Sequence, residues 1–322
     1  MKAVYIEQTG SPDILKYGDQ PKPELAPGNV LIKVAAAGVN FIDTYHRTGL
    51  YKIPLPGVLG TEGAGVIEAV GDGVQGYQVG DRVAWTTARG SYAEYALVPV
   101  NYLLKIPHDV ELRDAAAVML QGMTAHYLTH STFPLKPGQT ALIHATAGGT
   151  GRLVVQMAKI AGARVIGTAG SAAKVEVARQ TGADEVIDYT QQDFVAEVKR
   201  LTGGAGVDVV YDSVGQSTFM KSLDCLRPRG MMVSFGNASG AVPPIEPLLL
   251  AQKGSLFLTR PTLAHYIALR EELEWRASDI FRWIEEKKLV LLVGHEYKLA
   301  DAAQAHRDLE GRATTGKLVL LV

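Results

Sequence analysis

His144-Ala145-Thr146-Ala147-Gly148-Gly149-Thr150-Gly151 decides the reading of this chain. The apolar run before it, residues 139–144, reads as a buried strand, and residues 149–161 after it read as a helix. A glycine-rich turn between a strand and a helix is the context that a dinucleotide fingerprint requires. The pattern is A-x-x-G-x-x-G on Ala145, Gly148 and Gly151, with an extra glycine at Gly149. Its physics is direct: a tight turn, a backbone without Cβ that lets a pyrophosphate approach, and small residues that let helix and strand pack closely. The helix N-terminus then offers N–H groups and a partial positive charge to the phosphates. Gly148, Gly149, Thr150 and Gly151 are therefore expected to hold a pyrophosphate. A Walker-type phosphate loop is excluded, because no Gly-Lys-Ser/Thr closes the motif.

Outward from this turn the strand–helix rhythm continues. Residues 164–168 read as a strand, 172–181 as a helix, 185–187 as a strand and 193–202 as a helix. Strands follow at 207–211 and 231–235 with a helix at 218–226 between them, and 255–258 supplies a sixth strand. Near-continuous apolar strands alternating with helices predict an α/β fold with a doubly wound parallel sheet, covered on both faces and joined by right-handed crossovers. Upstream, short apolar runs at 2–6, 29–36, 63–70, 82–85 and 92–98 are separated by Gly- and Pro-rich turns, the pattern of a small β-rich domain. A helical stretch at 112–127 leads out of it. After Arg260 the rhythm stops: 263–275 and 278–287 look helical, and 289–293 and 317–322 look like strands. This tail is expected to return to the first domain. The expected organisation is a discontinuous β-rich catalytic domain, residues 1–123 and 261–322, and a Rossmann dinucleotide-binding domain, residues 124–260.

Composition narrows the function classes. With 32 Lys+Arg against 33 Asp+Glu in 322 residues the net charge is −1, so no nucleic-acid partner working by phosphate neutralisation is expected. The single cysteine, Cys225, permits no intramolecular disulfide and no thiolate metal cluster, which suits a reducing compartment. The first residues turn polar at once, and no apolar run approaches the ~18 residues needed to span a bilayer. A cytoplasmic protein with no membrane partner is the expectation.

In NAD sites an Asp or Glu about 20 residues beyond the glycines holds the ribose 2′-hydroxyl. Counting from Gly151 reaches Gly170-Ser171, and Ile166-Gly167-Thr168-Ala169-Gly170-Ser171-Ala172-Ala173-Lys174 contains no carboxylate. Ser171 and Lys174 can instead take a 2′-phosphate, so NADPH is the expected cofactor. A lysine in the first helical turn opposes the helix dipole, which favours an anionic partner over a merely solvated role.

These segments together resemble the zinc-independent quinone oxidoreductases, the zeta-crystallin-like branch of the medium-chain dehydrogenase/reductase superfamily. Residues 138–159 carry its signature, with Gln156 and Lys159, although Thr146 stands where a smaller residue is usual. Ala37-Gly38-Val39-Asn40-Phe41-Ile42-Asp43-Thr44-Tyr45 is similar to its active-site segment. Pro56-Gly57-x-x-Gly60-Thr61-Glu62-Gly63-Ala64-Gly65 is similar to its second N-terminal motif. Tyr211-Asp212-Ser213-Val214-Gly215 and Val233-Ser234-Phe235-Gly236-Asn237 are similar to its later cofactor loops. The resemblance implies a β-rich catalytic domain like the co-chaperonin GroES beside the Rossmann domain, and a homodimer, in which the strand at 255–258 can pair across a two-fold axis. It implies that Lys174 and Tyr189 contact the adenosine phosphate, and that Tyr127, Ser213, Phe235, Gly236, Arg260 and Lys317 line the cofactor. Zinc-bearing relatives place a Cys at Asn40 and a His at Thr61. His126 and His130 offer two imidazoles but no third ligand is in view, so no metal is expected.

The expected reaction is therefore NADPH-dependent reduction of a small-molecule quinone, with the nicotinamide carrying the chemistry. The alternatives are an NADPH-dependent reductase of activated alkenes (enones or enoyl thioesters) and a non-catalytic NADPH-binding protein. Asn40, Asp43 and Tyr45 are read in one short turn, in which Asn40 and Asp43 can share a face. Asn40, at the nicotinamide and substrate by resemblance, is assigned to their orientation. Tyr45 and Tyr51 are candidate hydrogen-bond donors or quinone-stacking rings, and Asp43 orients a neighbour rather than delivering a proton. The competing reading makes Asp43 a helix cap and the two tyrosines packing residues.

Overall fold

The computed structural model describes residues 1–311 and 314–322. In chain order its first elements are β1 (Lys2–Ile6), β2 (Lys16–Asp19), β3 (Asn29–Val39), α1 (Phe41–Thr48), β4 (Gly57–Val58), β5 (Glu62–Val70), β6 (Arg82–Thr86), β7 (Tyr95–Pro99), β8 (Leu103–Lys105) and α2 (Leu112–Tyr127). Then come β9 (Thr140–Ile143), α3 (Gly149–Ile160), β10 (Arg164–Ala169), α4 (Ala172–Gln180), β11 (Glu185–Asp188), α5 (Phe194–Leu201), β12 (Val207–Asp212), α6 (Phe219–Leu223), β13 (Leu226–Ser234), α7 (Leu248–Gln252), β14 (Phe257–Thr259) and α8 (Leu263–Tyr266). The last are α9 (Arg270–Glu285), β15 (Val293–Lys298), α10 (Ala302–Glu310) and β16 (Lys317–Leu321). The chain forms two compact units. The first comprises Met1–Met123, Ala268–Glu285 and Val290–Val322, and the second Thr124–Ile267 with Glu286–Leu289.

The second unit is built on a six-stranded parallel sheet in the order β11-β10-β9-β12-β13-β14. That is the doubly wound order 3-2-1-4-5-6 of dinucleotide-binding folds, with the order reversing at β9. Its inner strands β9, β10 and β12 are buried on both faces, so they read as continuous apolar runs rather than alternating ones. On one side Leu142, Ile166, Ile187 and Val210 of the strands pack with Phe194 and Val198 of α5 and Phe219 and Leu223 of α6.

In the first unit β3 is the organiser. It pairs with β5, β7 and β16 in a sheet ordered β15-β16-β3-β5-β6-β8, with β7 off this path, beside a three-stranded sheet β2-β1-β4. The last strand, β16, lies antiparallel to β3, with Leu318 opposite Val39. One core gathers Val30, Ile32, Ile67, Val83, Trp85 and Val98; another gathers Val4, Ile6, Val39, Leu59, Leu299 and Leu320.

Three readings of the sequence are corrected here. The tail helices break at residues 267–269, not between 275 and 278, because Arg276 and Ala277 are buried on α9 rather than marking a boundary. The strand expected at 289–293 lies at Val293–Lys298. It is an edge strand of polar residues, paired among the described residues with β16 alone, and apolar content does not mark such an edge. The segment around Asn40 and Asp43, read as a short turn, is the start of the eight-residue helix α1.

Candidate active site

In the first unit Asn40 stands at the corner where β3 gives way to α1. Asp43, in the first turn, reaches back: the Asn40 N–H donates to Asp43 Oδ2 at 2.9 Å. The Asn40 side chain turns the other way. Its Nδ2 donates to Glu62 Oε2 at 2.8 Å and to the Gly38 carbonyl at 3.3 Å. Its Oδ1 accepts from Lys317 Nζ at 2.7 Å and from Gln121 Nε2 at 3.3 Å. A side-chain amide has two donors and two acceptor sites, so Asn40 is fully engaged by the protein. Lys317 also donates to Glu62 Oε2 at 2.6 Å, and the Leu120 N–H donates to Glu62 Oε1 at 2.6 Å. Glu62 and Lys317 are buried, and a buried ion pair persists only when its remaining polar atoms are satisfied, as they are here. Gly38 makes this possible: a Cβ there would fall 2.1 Å from Glu62 Oε2. The Lys317 ammonium thus gives two of its three donors to groups of its own unit.

A second set of buried groups surrounds Asp43. Thr61 Oγ1 donates to Asp43 Oδ1 at 3.1 Å, and the Tyr92 hydroxyl donates to Asp43 Oδ2 at 3.1 Å. Behind Tyr92 stands His306 of α10, Nε2 3.4 Å from the phenol oxygen, and behind His306 stands Arg47, Nη1 3.2 Å from Nδ1. Arg47 in turn holds Glu310 through two contacts of 2.8 Å. Burial pushes the Asp43 carboxyl up to about 7 and raises the Tyr92 phenol well above its usual range. Burial, with help from the Arg47 charge, pulls His306 down to about 3.

Tyr45 and Tyr51 meet edge to face with ring centroids 5.3 Å apart, and Phe41 lies 6.3 Å from Tyr45. Tyr51 is 39% exposed, so this aromatic wall can take a flat partner.

In the second unit the glycine-rich turn has the geometry a pyrophosphate needs. Ala145 takes a positive φ of 55°. A Cβ on Gly151 would lie 2.2 Å from the Ala145 carbonyl oxygen, so only glycine closes the turn. Helix α3 starts at Gly148 with no side-chain cap, whereas α4 and α5 are capped by Ser171 and Asp193. The free N–H groups of an uncapped N-terminus suit a phosphate. Thr146, larger than its counterparts, is fully buried and donates to the Thr168 carbonyl at 3.0 Å. Gly167 leaves it room, since a Cβ there would lie 2.9 Å from the Thr146 methyl.

At the end of β10, Gly170 lies under the Tyr189 ring: a Cβ would fall 2.3 Å from the phenol oxygen. Ser171, the cap of α4, accepts the Lys174 N–H at 3.4 Å. Gly170, Ser171, Lys174 and Tyr189 are thus neighbours, without a carboxylate among them. After β12, Asp212 Oδ1 accepts the N–H groups of Val214 at 2.7 Å and Gly215 at 3.0 Å. Its Oδ2 accepts the hydroxyls of Thr218 at 2.7 Å and Ser222 at 3.3 Å. Ser222 Oγ also lies 2.9 Å from His144 Nε2, and His144 Nδ1 lies 2.9 Å from Thr168 Oγ1. This network shapes the loop bearing Ser213. Gly236 packs on that loop, where a Cβ would lie 2.4 Å from the Ser213 carbonyl oxygen. Phe235 follows, its N–H donating to the Asp212 carbonyl at 2.8 Å. Arg260 is exposed and donates to the Ser234 carbonyl at 3.1 Å. Tyr127 is buried and stacked on Tyr266 with centroids 4.4 Å apart.

The donor set does not suit zinc. Asn40 and Glu62 are already committed to Lys317, and Thr61 to Asp43. Among the described residues no group of three or more His, Cys, Asp or Glu side chains could hold a metal ion.

The sequence singled out Asn40, Asp43 and Lys317 but missed the groups that hold them as a cluster. Tyr92, His306 and Arg47 are spread over 259 residues, and no local motif joins them. Gly38, inside an apolar strand, was the one legible hint of a close approach.

A GroES-like unit and a doubly wound dinucleotide-binding unit define a medium-chain dehydrogenase/reductase. Residues 26–108 match the alcohol dehydrogenase GroES-like domain, and residues 149–281 match the zinc-binding dehydrogenase domain. Over 322 residues the chain is 45% identical to a quinone oxidoreductase of Pseudomonas aeruginosa, covering 99% of each. It is 44% identical to a 2-haloacrylate reductase of Burkholderia, covering 99% of this chain and 98% of the relative. The crystal structure of Escherichia coli quinone oxidoreductase complexed with NADPH superposes with a TM-score of 0.98 at 42% identity, covering 100% of each chain. The chain belongs to the zinc-independent quinone oxidoreductase family of that superfamily.

Proposed function

We propose that this protein is an NADPH-dependent quinone oxidoreductase that works without a metal ion. The observation that carries this reading is the acid-free cradle of Gly170, Ser171, Lys174 and Tyr189, which fits a 2′-phosphate, in a chain 45% identical to a quinone oxidoreductase over its length. Bound NADPH supplies a hydride from its nicotinamide. The uncapped start of α3 and the Gly151 turn hold the pyrophosphate, and Ser171, Lys174 and Tyr189 hold the adenosine phosphate. Tyr127, Ser213, Phe235, Gly236 and Arg260 line the rest of the cofactor. Asn40 and Lys317, held to each other and to Glu62, shape the nicotinamide end from inside the first unit, and the wall of Tyr45 and Tyr51 receives the flat acceptor. A second reading, reduction of an activated alkene, is favoured by the 44% identity to a 2-haloacrylate reductase.

The test follows absorbance at 340 nm with NADPH or NADH against 1,4-benzoquinone, 9,10-phenanthrenequinone and an enone, with and without chelator. Chelator-insensitive oxidation of NADPH with quinones is the expected result. Turnover with the enone alone would move the assignment to the alkene reductase, and tight NADPH binding without turnover would defeat both.

We further propose a cytoplasmic homodimer. At the sheet edge β14 exposes 58% of Phe257 and 38% of Leu258, and pairing across a two-fold axis would cover that edge. A monomer by light scattering at micromolar concentration would rule the dimer out, and recovery in the membrane fraction of cells would rule out the location.

A further inference from the structure

Hydride transfer leaves the acceptor one proton short, and a donor must reach it at hydrogen-bond distance. The cluster around Asp43 shows which atom can hold that proton. Arginine carries donors only, so the contact from Arg47 Nη1 makes His306 Nδ1 an acceptor. The His306 proton then sits on Nε2 and points at the Tyr92 oxygen. The Tyr92 proton is in turn directed to Asp43 Oδ2, which also takes the Asn40 N–H. Oδ2 therefore has two fixed donors and no room for a proton of its own.

Oδ1 is different. Among the described residues its one partner is the Thr61 hydroxyl, at 3.1 Å. A hydroxyl can reverse. When Asp43 is ionised, Thr61 donates to Oδ1. When Asp43 is protonated, the proton sits on Oδ1 and donates to Thr61 Oγ1, and the Thr61 proton must turn elsewhere. No described residue other than Asp43 accepts from Thr61.

We infer that Thr61 delivers the proton to the reduced acceptor and that Asp43 resupplies Thr61 through Oδ1. The inference rests on the reductase reading above. The acceptor gains two electrons and a hydrogen as hydride. The Thr61 O–H bond breaks as its proton forms a bond to the resulting anion, and Asp43 Oδ1 passes its own proton to Thr61 Oγ1. Asp43 is left as a carboxylate and regains a proton from water between turnovers. The sum is NADPH, acceptor and H⁺ giving NADP⁺ and reduced acceptor.

The charges around Asp43 allow this. Lys317 on β16 faces it and pulls its pKa down, but that ammonium is neutralised by Glu62 on β5. Arg47 on α1 is neutralised by Glu310 on α10, and His306 on α10 stays neutral. Burial dominates and holds the carboxyl at about 7, so both protonation states are populated at neutral pH. Thr61 is the catalytic residue in this scheme and Asp43 acts through it.

The experiment compares wild type with Thr61→Val, Thr61→Ser and Asp43→Asn, using 1,4-benzoquinone and an enone between pH 5 and 9. Thr61→Val is expected to lower kcat roughly a hundredfold, the usual scale for losing a general acid. Thr61→Ser is expected to restore most of it, with the KM for NADPH unchanged in both. Wild-type kcat is expected to fall as pH rises through 7, and this limb should vanish in Asp43→Asn. Infrared difference spectra should show a protonated carboxyl lost near pH 7, shifted in Thr61→Val and absent in Asp43→Asn. A Thr61→Val enzyme with kcat within twofold of wild type and an intact limb overturns the inference. So does an Asp43 ionised at every pH. A wild-type enzyme inert with both acceptors is a separate result, which defeats the reductase reading itself.

Discussion

Each unit contains one fully buried aspartate at the centre of a hydrogen-bond network, and the two are wired differently. Asp212 has two donors on each carboxylate oxygen, two of them backbone N–H groups of the loop after β12. Asp43 has two donors on Oδ2 and a single reversible hydroxyl on Oδ1. Asp212 has a donor at every lone pair, and Asp43 Oδ1 has one lone pair open. A buried carboxylate satisfied at every lone pair shapes a loop, whereas one with an open lone pair can take up a proton. The contrast lies in how partners are distributed over the oxygens, not in burial, which is complete for both.

The largest effect that tests this contrast should come from Asp212→Ala. It strands the N–H groups of Val214 and Gly215, while the hydroxyls of Thr218 and Ser222 can turn to the carbonyls of Gly215 and Thr218. At ~1–3 kcal/mol for each buried donor left unpaired we expect a loss of roughly 2–6 kcal/mol by chemical denaturation, with a weakened Kd for NADPH. A stable variant with wild-type affinity would show that Asp212 does not hold the loop. Asp212→Asn should cost far less, because an amide oxygen still accepts both N–H groups and the two hydroxyls can turn to accept from the amide.

A smaller effect, but one with a sign, concerns Asp43→Asn. The Asp43 pKa is raised in the folded state, to about 7. Its contribution to stability is therefore fully present below the unfolded pKa of about 4 and is lost as pH rises through 7. An amide at this position does not titrate. The difference in Tm, wild type minus variant, should be larger at pH 5 than at pH 8. His306 behaves in the opposite sense: its pKa is lowered to about 3, so its contribution is present above pH 6.5 and lost as pH falls toward 3. Both proteins carry His306, so it cancels in the difference. A Tm difference independent of pH would mean that Asp43 stays ionised and that the contrast with Asp212 is one of position alone.

How much of this was legible depended on whether the partners were local. The second unit announced itself, because its inner strands are buried on both faces and its helices follow at short intervals. The elements from β9 to β12 lie close to where periodicity and glycines put them, but α6 ends at Leu223 and β13 begins at Leu226, inside the helix expected at 218–226 and ahead of the strand expected at 231–235. The Asp212 loop was legible as a motif, Tyr211 to Gly215, although the hub role of Asp212 was not. The Asp43 cluster was legible only in part. Asn40, Asp43, Thr61 and Glu62 sit in recognisable segments, but Tyr92, His306 and Arg47 are joined only by the pairing of β3 with β16 and the return of α10. Long-range pairing of that kind leaves no periodic trace. The polar edge strand β15 was misplaced for the same reason.

The finest test of the contrast is Ser222→Ala. Ser222 Oγ is the longest of the contacts to Asp212, at 3.3 Å, and it also links to His144 Nε2 at 2.9 Å. Oδ2 keeps the Thr218 hydroxyl at 2.7 Å when Ser222 is removed. If Asp212 is over-satisfied, losing one donor should leave the loop in place. The remaining cost is the buried imidazole left without its partner, ~1 kcal/mol, or roughly 2–4 °C in Tm. NADPH affinity should not change. A tenfold loss of affinity would mean that Asp212 has no donor to spare and that its loop is held as delicately as the proton on Asp43 Oδ1.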